Sequence, residues 1–143
     1  MKEEYVTYEQ AVKLKELGFA EKVNHGYLKK ISIQPELSVG DLKEVHGKVP
    51  KNYNDKRKGA GKGLFFYSAP RLDQAQQWLR EEKGIFVGVT YDNNMSNYNP
   101  YGFRVQIPMC NDRSALGFHE YNLALSAGID KALELLGKEV NNA

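Results

Sequence analysis

The sequence lacks the features that would assign it to several large classes of proteins. Among its 143 residues the only cysteine is Cys110, so no intrachain disulfide and no four-thiolate zinc site can form. No apolar run approaches the ~20 residues that span a bilayer. The N-terminal stretch MKEEYVTYEQ has no apolar core of the kind found in signal peptides. We therefore expect a cytoplasmic protein without a membrane partner.

The overall charge also says little about partners, because 20 Lys/Arg balance 18 Asp/Glu to a net charge of +2. The local distribution is more informative. Residues 43–63 hold seven Lys/Arg against two Asp/Glu, with four glycines and one proline, and no apolar period survives there. This composition predicts a basic Gly/Lys-rich loop at about 43–63 within a single domain that spans residues 1–143. A loop of that length inside a compact domain usually indicates function or mobility.

Helical periodicity appears in three places. Thr7 and Gln10 have the spacing of a capping box, which predicts a helix at about 7–17. A second helix before Gly84 has the buried face Leu72, Ala75, Trp78 and Leu79. A third, within 119–137, has the stripe Tyr121, Leu125, Ile129, Ala132 and Leu136. Gly128 in that helix lowers its propensity, so we expect the helix to pass close to a neighbour there.

Period-two alternation predicts the strands. Residues 85–91 and 102–109 each place apolar side chains on one side, which predicts an antiparallel hairpin. Residues 31–33 and 64–67 are candidates for one or two further short strands. Helices and strands do not alternate strictly, so the sequence predicts an α+β fold, a small antiparallel sheet covered by about three helices.

The run KRKGAGKG at 56–63 invites comparison with a phosphate-binding loop. Such a loop requires G-x-x-x-x-G-K-[ST] followed by a helix. With Gly61-Lys62 as the GK pair, Lys56 stands where the first glycine belongs and Gly63 stands where the hydroxyl residue belongs. The residues that follow, LFFY, are typical of a strand. The run therefore does not fit a nucleotide cradle.

Nucleic-acid binding is a broader interpretation of the same segment. Its lysines and arginine could displace counterions from a phosphate backbone, and a tyrosine beside them could stack on a base. The candidate residues are Lys51, Lys56, Arg57, Lys58, Lys62 and Tyr53. The alternative is that lysine and glycine simply keep a loop solvated.

The hairpin connection at 92–101 is a second candidate surface. Met95, Tyr98 and Tyr101 lie in an Asn-rich setting, a composition typical of adaptable recognition surfaces. Loops on a rigid sheet often carry binding residues. The alternative is that the two tyrosines only cover the end of the sheet.

Catalytic and metal sites find little support in the sequence. His25, His46 and His119 are scattered, and none stands at a standard ligand spacing from another ligand residue, so we predict no metal site and no cofactor. Cys110 with a spatially adjacent histidine is conceivable, but a lone cysteine after a strand is usually a small apolar residue. A small enzyme is thus the weakest hypothesis, and no catalytic residue is assigned.

Several stretches together resemble small uncharacterised proteins encoded in bacterial prophages and related mobile elements. They are YVTYEQAVKLKELGF, YSAPRLDQAQQWLREEKGIFVGV, GFRVQI and YNLALSAGIDKALELL, in that order. The resemblance implies prophage ancestry and assigns no biochemical role. Our leading hypothesis is therefore a non-enzymatic accessory protein that binds a macromolecular partner, protein or nucleic acid, with homo-oligomerisation compatible with the sequence. The alternative is direct nucleic-acid binding through the segment 43–63.

Overall fold

We analysed the fold in a computed structural model, which describes residues 4–30, 41–55, 64–92 and 99–141. The protein is α+β, as the sequence predicts. The described elements are α1 (Tyr8–Glu16), β1 (Val23–Lys30), β2 (Asp41–Lys51), β3 (Leu64–Ser68), α2 (Leu72–Lys83), β4 (Phe86–Tyr91), β5 (Tyr101–Gln106), β6 (Arg113–Phe118) and α3 (Tyr121–Asn141).

The chain divides into two compact units. The N-terminal unit is Tyr5–Pro70, and the C-terminal unit combines Met1–Glu4 with Arg71–Ala143. Each unit has its own antiparallel three-stranded sheet, ordered β2-β1-β3 in the first and β4-β5-β6 in the second. The expectation of one domain across all 143 residues stays a prediction.

In the N-terminal unit, α1 begins at the predicted capping box. The Thr7 hydroxyl accepts from the Gln10 backbone N–H, and the Gln10 side chain accepts from the Thr7 backbone N–H. Tyr8, the first residue of α1, places its ring edge-on to Tyr27 and Tyr67, which face each other on β1 and β3. The Tyr27 hydroxyl donates to the Val6 carbonyl at 2.8 Å. The chain before α1 is thereby held against the sheet.

In the C-terminal unit, α2 and α3 pack against the apolar face of the predicted hairpin. The predicted face of α2 is buried, and Gly84 ends that helix in the left-handed conformation. Gly128 of α3 lies so close to the sheet that an added Cβ would stand 2.7 Å from Val87 Cγ1 and 3.1 Å from Phe103 Cβ. The predicted close passage of this helix is confirmed.

The loop prediction for 43–63 is wrong over residues 43–51, because these belong to strand β2. Among the described strands β2 pairs only with β1, so it is an edge strand with mostly exposed side chains and shows no apolar period. Lysines and a proline are common on such edges, where they discourage pairing with other chains. The same composition therefore suits an edge strand as well as a loop.

Two smaller differences concern the rest of the fold. Strand β6 was not predicted, since its side chains are mostly exposed and it contains Gly117 at φ 101. Tyr121 is half exposed and does not belong to the buried stripe of α3. The strand predicted at 31–33 lies outside the described residues, whereas the one at 64–67 is confirmed as β3.

No helix in the described parts of the chain is long and apolar enough to cross a membrane.

Candidate metal centre

Two neighbouring strands of the N-terminal unit bring three potential metal ligands together: His25, Glu44 and His46. In the antiparallel β1–β2 pair, His25 lies opposite His46 and Tyr27 lies opposite Glu44. Because side chains alternate between the faces of a sheet, residues two apart on a strand share a face. Glu44 and His46 therefore project on the same side as His25, and the ligand atoms of all three lie within 4.8 Å of one another.

The distances between these atoms are close to those of a metal site. Glu44 Oε2 lies 3.7 Å from His25 Nε2 and 3.9 Å from His46 Nε2. In a tetrahedral zinc site with bonds of about 2.0–2.1 Å, neighbouring ligand atoms stand roughly 3.3 Å apart. The Glu44 and His46 side chains are 60% and 63% exposed, so both are free of close packing on the solvent side. Small rotations of these two side chains would bring the three donors to ligating distance.

His25 supplies the fixed, buried member of the cluster. It is 2% exposed, and its Nδ1 is buried without a hydrogen-bond partner. Buried polar atoms normally have such a partner, and leaving one unpaired costs about 1–3 kcal/mol. Burial in the sheet, reinforced by the neighbouring His46, lowers the pKa of His25 from its ordinary value, although Glu44 opposes the shift. The imidazole is therefore neutral near pH 7, the form that ligates metals.

Aromatic rings enclose the buried side of the cluster. The Tyr5 ring lies against His25 with 4.2 Å between centroids, and the His25 and His46 rings lie 4.3 Å apart. The edge of Tyr27 meets His25 on its own strand. The contacts with Tyr5 and Tyr27 restrict the rotation of the His25 ring.

His119, the third histidine, provides an internal comparison. Its Nε2 lies 3.9 Å from Glu120 Oε1, much like the His46–Glu44 pair, and both side chains are exposed. No third ligand joins this pair among the described residues, where His25, Glu44 and His46 form the one cluster of this kind.

The structure gives the predicted nucleic-acid residues a different setting. Lys51 ends β2, with its ammonium group 5.1 Å from the centre of the Tyr53 ring. Tyr53 is only 8% exposed; its backbone N–H donates to Ser68 Oγ, and its ring lies over Gly26. The ring is thus mostly enclosed by its own unit, and the role of Tyr53 in stacking on a base stays a prediction. Lys56, Arg57, Lys58 and Lys62 lie outside the described residues.

The second predicted surface is represented by Tyr101, since Met95 and Tyr98 lie outside the described residues. Tyr101 is half-buried in β5 and contacts two other tyrosine rings, with centroid distances of 5.4 Å to Tyr91 and 6.3 Å to Tyr121. The partner-binding role of Tyr101 stays a prediction. Cys110 is exposed in the turn after β5.

Comparison of the chain with protein-family models, curated proteins and solved structures found no match. The resemblance to prophage-encoded proteins therefore stays a prediction, and function rests on the chain's own geometry.

The sequence contains a weak signal of this cluster. His25 and His46 are 21 positions apart, and a spacing of that kind belongs to no standard ligand motif. Glu44 and His46, however, stand two apart, the spacing that places two side chains on one face of a strand. The signal becomes visible only once residues 41–51 are recognised as a strand that pairs with β1.

Proposed function

We propose that the N-terminal unit binds one divalent transition-metal ion of the zinc class through His25, Glu44 and His46. The observation that carries this proposal is the convergence of three ligand residues from two paired strands around a buried, neutral imidazole. Two imidazoles and one carboxylate form a donor set that suits zinc, cobalt, nickel and copper. Magnesium and calcium prefer oxygen donors throughout, so they fit this site poorly.

The position of the centre suggests what the ion does for the fold. β2 pairs only with β1 among the described strands, and an edge strand is the part of a sheet that opens most easily. One ligand comes from β1 and two come from β2, so a bound ion joins the edge strand to the centre of the sheet. Metal binding then adds its free energy to the stability of this unit.

Isothermal titration with Zn²⁺ tests the proposal. We expect one ion per chain, and we expect His46→Ala to weaken binding by at least roughly 10–100-fold, the loss typical even of residues that only support a ligand. His46 is largely exposed, so its replacement should leave the fold intact. His119→Ala is the matched control, because it removes a similar histidine–glutamate pair from the C-terminal unit. Equal affinity in the wild type and His46→Ala would contradict the proposal.

Nucleic-acid binding is a second candidate function, and the division of charge between the units favours it. The N-terminal unit carries twelve Lys/Arg and seven Asp/Glu, a net charge of +5, whereas the C-terminal unit carries eight and eleven, a net charge of −3. The modest total of +2 is therefore the sum of one basic and one acidic unit. A polyanion would be attracted to the first and repelled by the second.

Fluorescence anisotropy with a labelled single-stranded oligonucleotide, repeated over a salt series, tests this candidate. Each phosphate contact contributes about 0.7 to the slope of log affinity against log salt for single strands, so Lys56→Gln/Lys58→Gln should lower the slope by about 1.4. Arg80→Gln/Arg113→Gln removes the same charge from exposed positions of the C-terminal unit and should leave the slope unchanged. Absence of binding at low salt would exclude this function.

A further inference from the structure

We infer that a metal ion held by His25, Glu44 and His46 keeps one coordination position on its solvent side, and that this position takes a small monodentate anion. This inference rests on the proposed metal binding and goes beyond it. It assigns the centre a ligand-binding role in addition to a structural one.

The number of donors is the first argument. Structural zinc sites are closed by four protein ligands, whereas zinc sites with three protein ligands bind water or substrate at the fourth position. The described residues contribute three ligands to this cluster, one carboxylate and two imidazoles. The ion would therefore complete its tetrahedron with a water molecule or another exchangeable donor.

The direction of exposure is the second argument. The three ligands are unequally buried: the side chain of His25 is 3% exposed, against 60% for Glu44 and 63% for His46. The Tyr5 ring packs at 4.2 Å against the buried imidazole and at 6.5 Å from the exposed one. An ion between these ligands is thus enclosed on the His25 side and accessible on the side of Glu44 and His46.

Charge is the third argument, and it selects the class of ligand. The imidazoles bind as neutral donors and Glu44 contributes one negative charge, so a divalent ion leaves a net charge of +1 at the centre. A monoanion neutralises this charge, whereas a cationic or neutral donor does not. Carboxylates and small inorganic anions are ligands of this kind.

Cobalt substitution makes the inference measurable, because bound Co²⁺ reports its coordination through its visible absorption. The protein is loaded with one equivalent of Co²⁺ and titrated with sodium azide, alongside a protein-free Co²⁺ control. We expect a saturable spectral change that the free ion does not show at the same azide concentrations. By linkage, azide at about ten times its dissociation constant should tighten the apparent affinity for Co²⁺ about tenfold. Glu44→Gln raises the charge of the centre to +2 and should bind azide more tightly, although it holds the metal less firmly.

The outcomes separate this inference from the proposal beneath it. Stoichiometric Co²⁺ binding with an azide-sensitive spectrum supports both. Stoichiometric Co²⁺ binding with a spectrum that azide does not alter overturns the inference alone, since a protein group then fills the fourth position. Absence of Co²⁺ and Zn²⁺ binding overturns the proposed metal function and the inference together.

Discussion

Each unit has a three-stranded antiparallel sheet, but the two units differ in strand order and in the side chains that fill their cores. In the described part of the C-terminal unit, fourteen buried apolar residues between Leu72 and Leu136 form the core. The described part of the N-terminal unit has eight, two of which are the tyrosines Tyr27 and Tyr53. It also holds the three buried polar residues found in the described chain: Gln10, His25 and Ser68. One unit is thus an apolar scaffold, and the other places polar groups in its interior.

The polar residues of the N-terminal unit differ in how well the fold explains them. Gln10 completes the capping box of α1, and Ser68 accepts the backbone N–H of Tyr53. His25 is satisfied at one ring nitrogen only: its Nε2 lies 3.7 Å from Glu44 Oε2, whereas its Nδ1 is buried without a partner. A buried polar atom without a partner is unusual, and functional sites are one of the places where such atoms occur. The comparison therefore points to His25 as the residue around which the site is built.

Substitutions in the two cores should have the largest effect on stability, and they test whether the units unfold independently. Leu79 in the C-terminal unit and Leu14 in the N-terminal unit are both fully buried, so replacing either by alanine should cost about 2–5 kcal/mol. Trp78, the only tryptophan, lies in the C-terminal unit, so its fluorescence reports the unfolding of that unit. We expect Leu79→Ala to lower the denaturation midpoint measured by this fluorescence and Leu14→Ala to leave it in place. Equal shifts would show that the chain unfolds as the single domain predicted from its sequence.

In both units, burial decides which parts of the fold could be predicted from the sequence. α1 has a capping box, α2 has four apolar residues on one face and Gly84 at its end, and the hairpin alternates cleanly. In each case local chemistry and burial indicate the same structure. β2 and β6 are exposed edge strands, so burial leaves no apolar period in their sequences. These strands were missed for that reason.

The cluster of His25, Glu44 and His46 is not predicted from the sequence because it depends on pairing between distant residues. His25 and Glu44 become neighbours only through the register of β1 with β2, and the local pattern around 41–51 favours a loop. The lysines of that segment instead favour an interpretation as a binding site for polyanions. Tyr53, chosen for its aromatic ring among those lysines, is buried because the glycines Gly26 and Gly47 leave space for it. The sequence shows that residue 53 is aromatic, but the burial of its ring depends on the pairing of β1 with β2.

A substitution in α3 should have an intermediate effect on stability, and it tests how closely this helix packs on the sheet. Gly128→Ala places a methyl group 2.7 Å from Val87 Cγ1, so the helix or the sheet must shift, and overpacking of this kind costs about 1–3 kcal/mol. Gly137→Ala in the same helix meets nothing within 4 Å and should stabilise the unit by up to about 1 kcal/mol through helix propensity. Both are measured by urea denaturation followed through Trp78. If both variants stabilise the protein, α3 does not pass as close to the sheet as described.

Acid should destabilise the N-terminal unit, but by less than the substitutions above, because Glu44 partly offsets the lowering of the His25 pKa by burial. His25 titrates near 6.5 in the unfolded chain, and its pKa is lower when folded, chiefly through burial and also through His46. The unfolded state therefore binds a proton on His25 more tightly than the folded state does. As a result, the free energy of unfolding is unaffected well above pH 6.5 and falls as the pH drops below that value.

The metal-free protein, with chelator present, is denatured in urea from about pH 8 to about pH 5, the range in which histidine titrates. We expect far-UV circular dichroism, which reports both units, to show the acid-induced loss. We expect His25→Gln to flatten the pH dependence, whereas His119→Gln, an exposed histidine of the C-terminal unit, should retain it. If His25→Gln keeps the wild-type dependence, some other group resists protonation in the folded state. The buried imidazole would then not be the feature that sets the N-terminal unit apart.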